Sequence, residues 1–441
     1  MAHPPLGGSI LTDLAIIGGG LTGLWSAIIA KQRQPDRDVT LLDAHEIAYG
    51  ASGRNGGFIS ESLTHGFAHG LNLWPTEMDQ LVRLGRENIR EIAEFLEREK
   101  IEALFDLCGK TSVATAPHHL AYLKTAFEIN QHFGVDSVLL DRSEMQTDVH
   151  SPTYLGGLRI RSGGGLVDPA RLCWGLRDVA IRYGVHIFEN TAALRVAEEK
   201  HGVTVSTEHG VVSAVQAILA TNAYDPLCRG IRRRVLPVYD HVLATETLCQ
   251  RQLDAIGWLE RQGITDSGNQ FHYYRLTPDN RILWGGFDAI YYYGNKTDSS
   301  REQRESSFKL LASQFYDTFP QLRDLRFTHR WAGLIDSTSR FTPYFGTNSV
   351  GNIAFSVGYT GLGVGSSRFG ARVALDLLSG NESELTALGM VRKKPMAFPP
   401  EPLRYGVVQI TRRALAREDR KGKGRGIWLS LLDRFGVGFN S

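Results

Sequence analysis

The first fifty residues alternate between short apolar runs and glycine or charged residues. The apolar run Leu14–Ile17 ends in three glycines and is followed by LTGLWSAIIAK, whose apolar positions suit a buried helix. A polar stretch leads to a second apolar run, Val39–Leu42, which is closed by Asp43. Short apolar runs bounded by such residues are typical of buried strands. The pattern therefore predicts the strand, helix and strand of a βαβ unit.

Longer segments further along carry apolar residues at helical spacing, and others alternate as strands do. Helices are predicted over Glu77–Lys100, His118–Phe133, Pro169–Tyr183, Phe308–Phe319 and Ser366–Leu378. Strands are predicted over Val185–Phe188, Ala193–Val196, Val203–Thr207, Val215–Leu219 and Asn352–Val357, with further aromatic-rich strands within 235–293. This mixture predicts a fold of the α/β class, which is α+β when the chain is taken as a whole.

Composition places the chain among ordinary folded proteins, with one oddity. Glycine accounts for 47 of 441 residues, while the hydrophobic fraction is 42% and the charged fraction 22%. Average glycine usage is about 7%, so we expect the excess at specific backbone positions. Lysine and arginine total 49 against 47 acidic residues, a net charge of +2. That balance argues against nucleic acid as the main partner.

The four cysteines are well separated in the sequence, without C-x-x-C or zinc-ligand spacing. We expect reduced thiols, no metal site and a cytoplasmic location. The N-terminal residues lack a basic segment followed by an apolar one, so no signal peptide is expected. No apolar stretch reaches the length of about 18 residues that a membrane span needs.

Residues 18–23 fit the dinucleotide fingerprint G-x-G-x-x-G. Gly18, Gly20 and Gly23 hold the glycine positions, with Leu21 and Thr22 between the last two. Such glycines allow a tight turn, close approach of a diphosphate, and close helix–strand packing. Asp43 follows Gly23 after twenty residues, where an acid accepts hydrogen bonds from a ribose. The alternative is a glycine turn in an unrelated α/β fold.

The segment after Asp43 decides between FAD and NAD. Residues 50–57 read GASGRNGG, so four glycines fall within eight residues. Backbone amides in such a segment can approach a second large group, whereas an NAD enzyme would normally continue into a crossover helix here. The alternative is a flexible surface loop.

Further segments follow in order. These are SGGGLVDP at 162–169, LATNAY at 219–224, YYRLTPDNR at 273–281, RWAG at 330–333 and GYTGLGVG at 358–365. Together with the fingerprint and GASGRNGG, they resemble the D-amino-acid-oxidase-like flavoproteins, the family that includes glycine oxidase and sarcosine oxidase. Within that family the motifs look most like those of the gamma-glutamylputrescine oxidoreductase group.

The resemblance implies a Rossmann-type FAD-binding domain interleaved with a substrate domain built on a mixed, largely antiparallel sheet. The FAD segments would be 12–95, 151–225 and 326–385, the substrate segments 96–150 and 226–325, and the basic C-terminal extension 386–441. It also implies residues that hold non-covalent FAD, which are Gly18, Gly20, Leu21, Thr22, Gly23, Asp43, Ala44, Ala51, Ser52, Gly53, Arg54, Asn55, Gly56, Gly57, Ala193, Thr221, Gly333, Gly358, Gly361, Leu362 and Gly363. The candidate catalytic residues are Arg54, Tyr273, Arg275, Trp331 and Leu362.

The reaction implied is oxidation of an amine or amino acid by hydride transfer to flavin N5. The imine would hydrolyse, and oxygen would become hydrogen peroxide. Relatives that tether FAD use a cysteine after Trp-x-Gly, but residues 333–338 read GLIDST. Gly365 stands where some relatives carry lysine, and no lysine directly follows Trp284-Gly285-Gly286. Two alternatives therefore stay open, a dehydrogenase that uses a quinone or carrier protein and a non-catalytic flavin-binding protein.

The C-terminal segment from about residue 411 is basic, through Arg412, Arg413, Arg417, Arg420, Lys421, Lys423 and Arg425. A solvated or interface-covering helix is one interpretation of this segment. Peripheral contact with an anionic membrane is the other. The oligomeric state is open.

Overall fold

The computed structural model describes residues 3–224, 227–422 and 426–434. The strands in chain order are β1 Gly8–Ile17, β2 Val39–Leu42, β3 Phe58–Ser60, β4 Lys110–Ala114, β5 Ser137–Leu140, β6 Gly156–Ile160, β7 Gly164–Leu166, β8 His186–Phe188, β9 Arg195–Glu199, β10 Gly202–Ser206, β11 Gly210–Leu219, β12 Val235–Thr245, β13 Gly263–Asp266, β14 His272–Leu276, β15 Ile282–Gly286, β16 Phe327–Thr338, β17 Tyr344–Thr347 and β18 Ile353–Val357. The α-helices are α1 Leu21–Arg33, α2 Ala51–Arg54, α3 Gly66–Leu73, α4 Met78–Glu99, α5 Pro117–His132, α6 Arg142–Asp148, α7 Pro169–Arg182, α8 Arg229–Arg232, α9 Gln250–Ile256, α10 Glu305–Thr318, α11 Gly363–Ser379, α12 Glu384–Ala387, α13 Gly389–Arg392, α14 Leu403–Lys421 and α15 Ile427–Arg434. Single 3₁₀ turns lie at Ser299–Arg301 and Pro320–Leu322.

The first sheet has the strand order β17-β18-β11-β1-β2-β8, with β10 and β9 added antiparallel to β11. The neighbours from β18 through β11, β1 and β2 to β8 run parallel. Hydrophobic clusters cover both faces, one of them built with α1, α7 and α11. Coverage of both faces agrees with the burial of every residue in β2 and β18.

The second sheet has the order β16-β12-β15-β14-β13-β4-β6-β5. Its pairs are antiparallel except β13 with β4, which run parallel. One face packs aromatic residues, including Tyr274 and Trp284, against Phe315 and Phe319 of the α10 region. The other face is therefore free to meet the loops of the first sheet.

These two sheets show the expected fold class, a Rossmann-type unit interleaved with a mixed, largely antiparallel sheet. Both β6 and β16 belong to the second sheet, although they lie within the predicted FAD segments 151–225 and 326–385. The domain boundaries themselves stay predictions.

The C-terminal helices dock on the second sheet's side of the molecule. The Asp419 carboxylate accepts the backbone N–H groups of Asn269 at 2.8 Å and Gln270 at 2.9 Å. The indole N–H of Trp428 donates to the Thr411 hydroxyl at 3.0 Å. Lys423 and Arg425 of the predicted basic segment lie outside the described residues. Among the residues that are described, no helix has the length and apolar character needed to cross a membrane.

Candidate cofactor and active site

The cofactor candidates from distant parts of the chain meet at one edge of the first sheet. Gly18 follows β1, Asp43 follows β2, Thr221 lies two residues beyond β11, and Gly358 follows β18. Since these strands are parallel, their carboxyl ends open on the same side. In open α/β sheets this edge, at the point where strand order reverses, is where ligands bind.

The fingerprint glycines bring strand and helix into close backbone contact. Gly18 has φ of +109°, and a methyl group there would lie 2.4 Å from the carbonyl oxygen of Ala220. A methyl group on Gly23 would lie 1.8 Å from the carbonyl oxygen of Gly18. The α1 helix begins at Leu21 without a side-chain N-cap and without an acid in its first turn. Its N-terminus therefore suits an anionic group such as a diphosphate.

Thr221 supplies an independent observation that a polar ligand fits this edge. Its hydroxyl is buried and has no hydrogen-bond partner among the described residues. An unpaired buried hydroxyl costs free energy, so such groups usually have a partner. Gly361, in the loop after β18, is exposed and has φ of +90° with no neighbouring atom within 4 Å of an added methyl group. The residues present therefore fit a bound dinucleotide.

Asp43, directly after β2, accepts two backbone hydrogen bonds. Its two carboxylate oxygens accept the backbone N–H groups of Gly19 at 2.6 Å and His45 at 2.8 Å. Burial raises the pKa of Asp43 to about 6, against the lowering effect of these two hydrogen bonds. Next to it in the chain, Ala44 is exposed.

The prediction that Ala193 lies within a strand is wrong. The strand β9 begins at Arg195, and Ala193 belongs to the preceding loop. The cause is a hydrogen bond to the residue that follows β2, because Thr191 donates its backbone N–H to the Asp43 carbonyl oxygen at 2.7 Å. The loop that holds Ala193 therefore begins beside the backbone of Asp43.

Within residues 50–57, Ala51–Arg54 form the helical turn α2, where the sequence predicted only a glycine-rich loop. The Asn55 side chain explains the turn, because its amide donates to the carbonyl oxygens of Ala51 at 3.0 Å and Ser52 at 2.9 Å. The Asn55 side-chain oxygen accepts the Gly57 N–H at 2.8 Å. The Ser52 hydroxyl accepts the Leu21 N–H at 3.0 Å, which joins this turn to the start of α1. Gly53 packs against Ala48, whose carbonyl oxygen would lie 2.2 Å from an added methyl group.

Asp336 holds the closing loop 358–362 in place. Its carboxylate accepts the backbone N–H groups of Gly358 and, at 3.1 Å, of Tyr359. Burial raises the pKa of Asp336 to about 7, while these hydrogen bonds lower it. The loop leads into α11 at Gly363, with Leu362 as the N-cap residue.

The second sheet presents aromatic and polar side chains toward the first. Trp331, Val242, Gly285 and Tyr273 are register partners across four neighbouring strands. Side chains on adjacent register positions share a face, and successive residues alternate between faces. Tyr274 accordingly points into the core, where its hydroxyl bonds Tyr154 at 2.7 Å. As expected for a Tyr-Tyr pair in a strand, only one ring of the pair faces the site.

Tyr273 lies between two glycines. Methyl groups on Gly56 and Gly285 would lie 2.5 Å and 2.6 Å from its ring. The Tyr273 hydroxyl donates to the Asp240 carboxylate. Both Tyr273 and Asp240 remain partly exposed. The hydroxyl is therefore fixed on the face that meets the 51–57 segment.

Arg54 joins the 51–57 segment to the second sheet. Its guanidinium forms an ion pair with Glu302 at 2.8 Å and lies 4.4 Å from the centre of the Tyr49 ring. The indole N–H of Trp331 donates to the Arg54 carbonyl oxygen at 2.8 Å. Gly333 packs beside Arg54, since a methyl group there would lie 3.7 Å from the Arg54 Cβ, an ordinary van der Waals distance. Arg54, Tyr273 and Trp331 therefore belong to one cluster.

Of the other two catalytic candidates, Arg275 lies on β14 two residues after Tyr273. Arg275 packs against Gly57, whose added methyl group would lie 3.1 Å from the guanidinium carbon. Burial lowers the pKa of Arg275, and its Nε has no hydrogen-bond partner among the described residues. Leu362 lies in a different element, at the start of α11.

Sequence reasoning missed three carboxylates of this site, those of Asp240, Glu302 and Asp336. Two of them interrupt apolar strands, in VYDHV and GLIDS. An acid within a buried strand is a rare placement that needs a partner, and that signal could have marked Asp240 and Asp336. Glu302 lies in a polar segment and gave no such signal.

Comparison with known proteins identifies the family of the chain. The family described as FAD dependent oxidoreductase matches residues 13–377. The chain is 30% identical over 399 residues to gamma-glutamylputrescine oxidoreductase of Escherichia coli, covering 89% of this chain and 88% of that protein. It is 29% identical over 394 residues to the probable oxidoreductase OrdL of Haemophilus influenzae, covering 87% and 86%.

Among solved structures, glycine oxidase from Geobacillus kaustophilus has the same fold. The TM-score is 0.73 at 19% identity, with 87% of this chain and 99% of that chain covered. The family resemblance expected from the motifs is thereby confirmed.

Proposed function

The chain belongs to the family of FAD-dependent oxidoreductases, and from this premise we propose that it oxidises an amine or amino acid to an imine, which water hydrolyses. When bound, FAD would supply the redox chemistry, which is acceptance of a hydride equivalent from the carbon next to the substrate nitrogen. The arrangement of Tyr273, Trp331 and Arg54 opposite the cofactor edge carries this proposal. The E. coli relative, named for gamma-glutamylputrescine, supports an amine as the substrate class.

Residues of the first sheet would hold the cofactor. The backbone of Gly18, Gly20 and Gly23 and the start of α1 would receive the diphosphate, and Asp43 would accept hydrogen bonds from the adenosine ribose. The 51–57 turn, Thr221, Gly333 and the loop from Gly358 to Gly363 would bind the rest of the molecule. Asp336 would keep the closing loop in its binding position through the two N–H groups it accepts.

Residues of the second sheet would bind and orient the substrate. The rings of Tyr273 and Trp331 suit an alkylamine chain or a cationic nitrogen. The Arg275 guanidinium could pair with a substrate carboxylate through two hydrogen bonds, although it is buried against Gly57. Closure of the site by these side chains would exclude water from the reacting carbon.

We propose that FAD is bound without a covalent link. The stretch Gly333–Thr338, where some relatives carry a tethering cysteine, contains none. Denaturing the purified protein in acid and separating precipitate from supernatant tests this directly. Flavin in the supernatant is the expected result, and flavin retained in the precipitate contradicts it.

We propose oxygen as the electron acceptor, with hydrogen peroxide as the product. The alternative acceptor is a quinone or carrier protein, which the absence of a lysine directly after Trp284-Gly285-Gly286 favours. Stopped-flow mixing of the reduced protein with air-saturated buffer tests the choice. Rapid return of the oxidised flavin spectrum with stoichiometric peroxide supports the oxidase, and flavin that stays reduced for minutes supports the dehydrogenase.

A further inference from the structure

Asp240 is a carboxylate on the substrate-facing side of the second sheet. It lies on β12, opposite Gly333 of β16, and near the backbone N–H of Gly286 on β15. Because these positions are glycine, they place no side chain from β16 or β15 over the carboxylate. Its polar contacts are the Tyr273 hydroxyl and the backbone N–H groups of Gly286 and His241.

The Tyr273 hydroxyl has a defined direction. Burial and the adjacent Asp240 carboxylate raise the pKa of Tyr273 well above its usual value. The phenol therefore keeps its proton and donates a hydrogen bond to Asp240. A phenol oxygen that donates its hydrogen still has lone pairs to accept another hydrogen bond. Tyr273 can therefore accept an N–H from a bound amine while it donates to Asp240.

We propose that Asp240 takes a proton from the bound substrate's aminium group through the Tyr273 hydroxyl, leaving the amine unprotonated for oxidation. This inference rests on the proposed function. In the step, one N–H bond of the aminium breaks and its proton joins the Tyr273 oxygen, while the Tyr273 proton moves to an Asp240 oxygen. The nitrogen keeps the electron pair, and no oxidant or reductant takes part.

The electrostatics of the pair permit this transfer. Burial raises the pKa of Asp240 to about 6, against the lowering effect of its hydrogen bonds. A free alkylaminium has a pKa near 10, like a lysine side chain, and removal from water lowers it. Burial thus brings the pKa values of the donor aminium and the acceptor carboxylate closer together.

The other charged groups near Asp240 are compatible with the step. His272, on β14, favours the ionised carboxylate. Burial lowers the pKa of His241, its neighbour on β12, to about 4, so that ring is neutral. Arg54, from the segment packed on Gly333, is paired with Glu302.

The test compares the FAD-loaded wild type with Asp240→Asn and Tyr273→Phe. The binding probe is tert-butylamine, which has no hydrogen on the carbon next to nitrogen and cannot be oxidised by this reaction. Its dissociation constant is measured by titration calorimetry between about pH 7 and pH 9. In the wild type the proton stays within the complex, so the constant should be nearly independent of pH.

In both variants only the neutral amine should bind, so affinity should rise about tenfold per pH unit. A merely structural role for Asp240 would weaken binding by the same factor at every pH. That result, or a pH-independent constant in Tyr273→Phe, would overturn the proposal. Asp279→Asn is the control, because Asp279 is exposed between β14 and β15 and pairs with Arg281. It should keep the wild-type pH profile.

The rate of anaerobic flavin reduction by an oxidisable amine gives a second readout. Asp240→Asn should reduce slowly at pH 7 and recover toward the wild-type rate near pH 10. If no amine reduces wild-type flavin, the proposed function fails. If amines reduce the wild type but Asp240→Asn shows the same pH profile, only the proton transfer fails.

Discussion

The indole N–H of Trp331 donates to the backbone carbonyl oxygen of Arg54 at 2.8 Å, although 277 positions separate the two residues. This bond fastens the 51–57 turn to the second sheet. We therefore propose that it positions the turn for FAD.

Trp331→Phe should weaken FAD binding without unfolding the protein. Loss of one hydrogen bond costs about 1 kcal/mol, which corresponds to roughly fivefold in the dissociation constant. Trp428→Phe is the control, because it removes the bond from the Trp428 indole to Thr411 in the C-terminal helices. Fluorescence titration of the apoprotein with FAD measures both. Equal weakening in the two variants would contradict a specific role for Trp331.

Gly20→Val should abolish FAD binding. A Cβ at Gly20 would lie 2.7 Å from the Ser52 hydroxyl, and the larger side chain would also occupy the space beside the start of α1. Gly406→Val is the control, since no atom lies within 4 Å of its Cβ position. Flavin absorbance after gel filtration should be lost only for Gly20→Val. A yellow Gly20→Val protein would show that the diphosphate does not approach this glycine.

Asp336→Asn should loosen the closing loop and weaken FAD binding about tenfold. The amide offers one acceptor oxygen, and its NH₂ group faces one of the two backbone N–H donors. An unsatisfied buried donor costs about 1–3 kcal/mol. Urea unfolding and FAD titration measure the effect, with the exposed Asp279→Asn as control. Unchanged FAD affinity in Asp336→Asn would exclude a role for this loop in binding the cofactor.

His65 should make the protein less stable in acid. Burial lowers its pKa to about 4, and its Nε2 lies 2.7 Å from the Thr360 carbonyl oxygen. Because the unfolded chain binds the proton near pH 6.5, stability falls as pH drops from about 6.5 to 4. The loss is on the order of 3 kcal/mol.

His65→Gln should remove that part of the pH dependence. The glutamine amide can still donate to Thr360 but does not titrate. The free energies of unfolding by urea should be measured for His65→Gln and the wild type at pH 7, 5 and 4. The two proteins should agree at pH 7 and differ at pH 5 and pH 4. His209→Gln, at an exposed position, should follow the wild type throughout. A His65→Gln profile parallel to that of the wild type would contradict the assignment.

Much of the fold followed from local pattern. The amphipathic period predicted Glu77–Lys100, and the structure has a helix over Met78–Glu99 that ends where Lys100 adopts the left-handed conformation. The predicted βαβ unit is present as β1, α1 and β2. Such features depend on residues close in sequence, which is why periodicity and turn residues specify them.

The site contacts depend on long-range register, which local pattern does not carry. Tyr273 and Asp240 meet because β14 and β12 both pair with β15, and nothing in YYRL or VYDHV names the partner strand. The contact of Asp336 with Gly358 likewise depends on the pairing of β16 with β12 in the second sheet. The family resemblance gave the glycine framework but not these carboxylates.

Anaerobic titration of the FAD-loaded protein with a panel of amines tests the central claim most directly. The panel comprises gamma-glutamylputrescine, simple polyamines, N-methyl amino acids, small amino acids and aminophosphonates. We predict that at least one of them bleaches the visible band of the oxidised flavin in a concentration-dependent manner. A flavin band unchanged by every member of the panel would contradict amine oxidation and leave a flavin-binding protein without this activity.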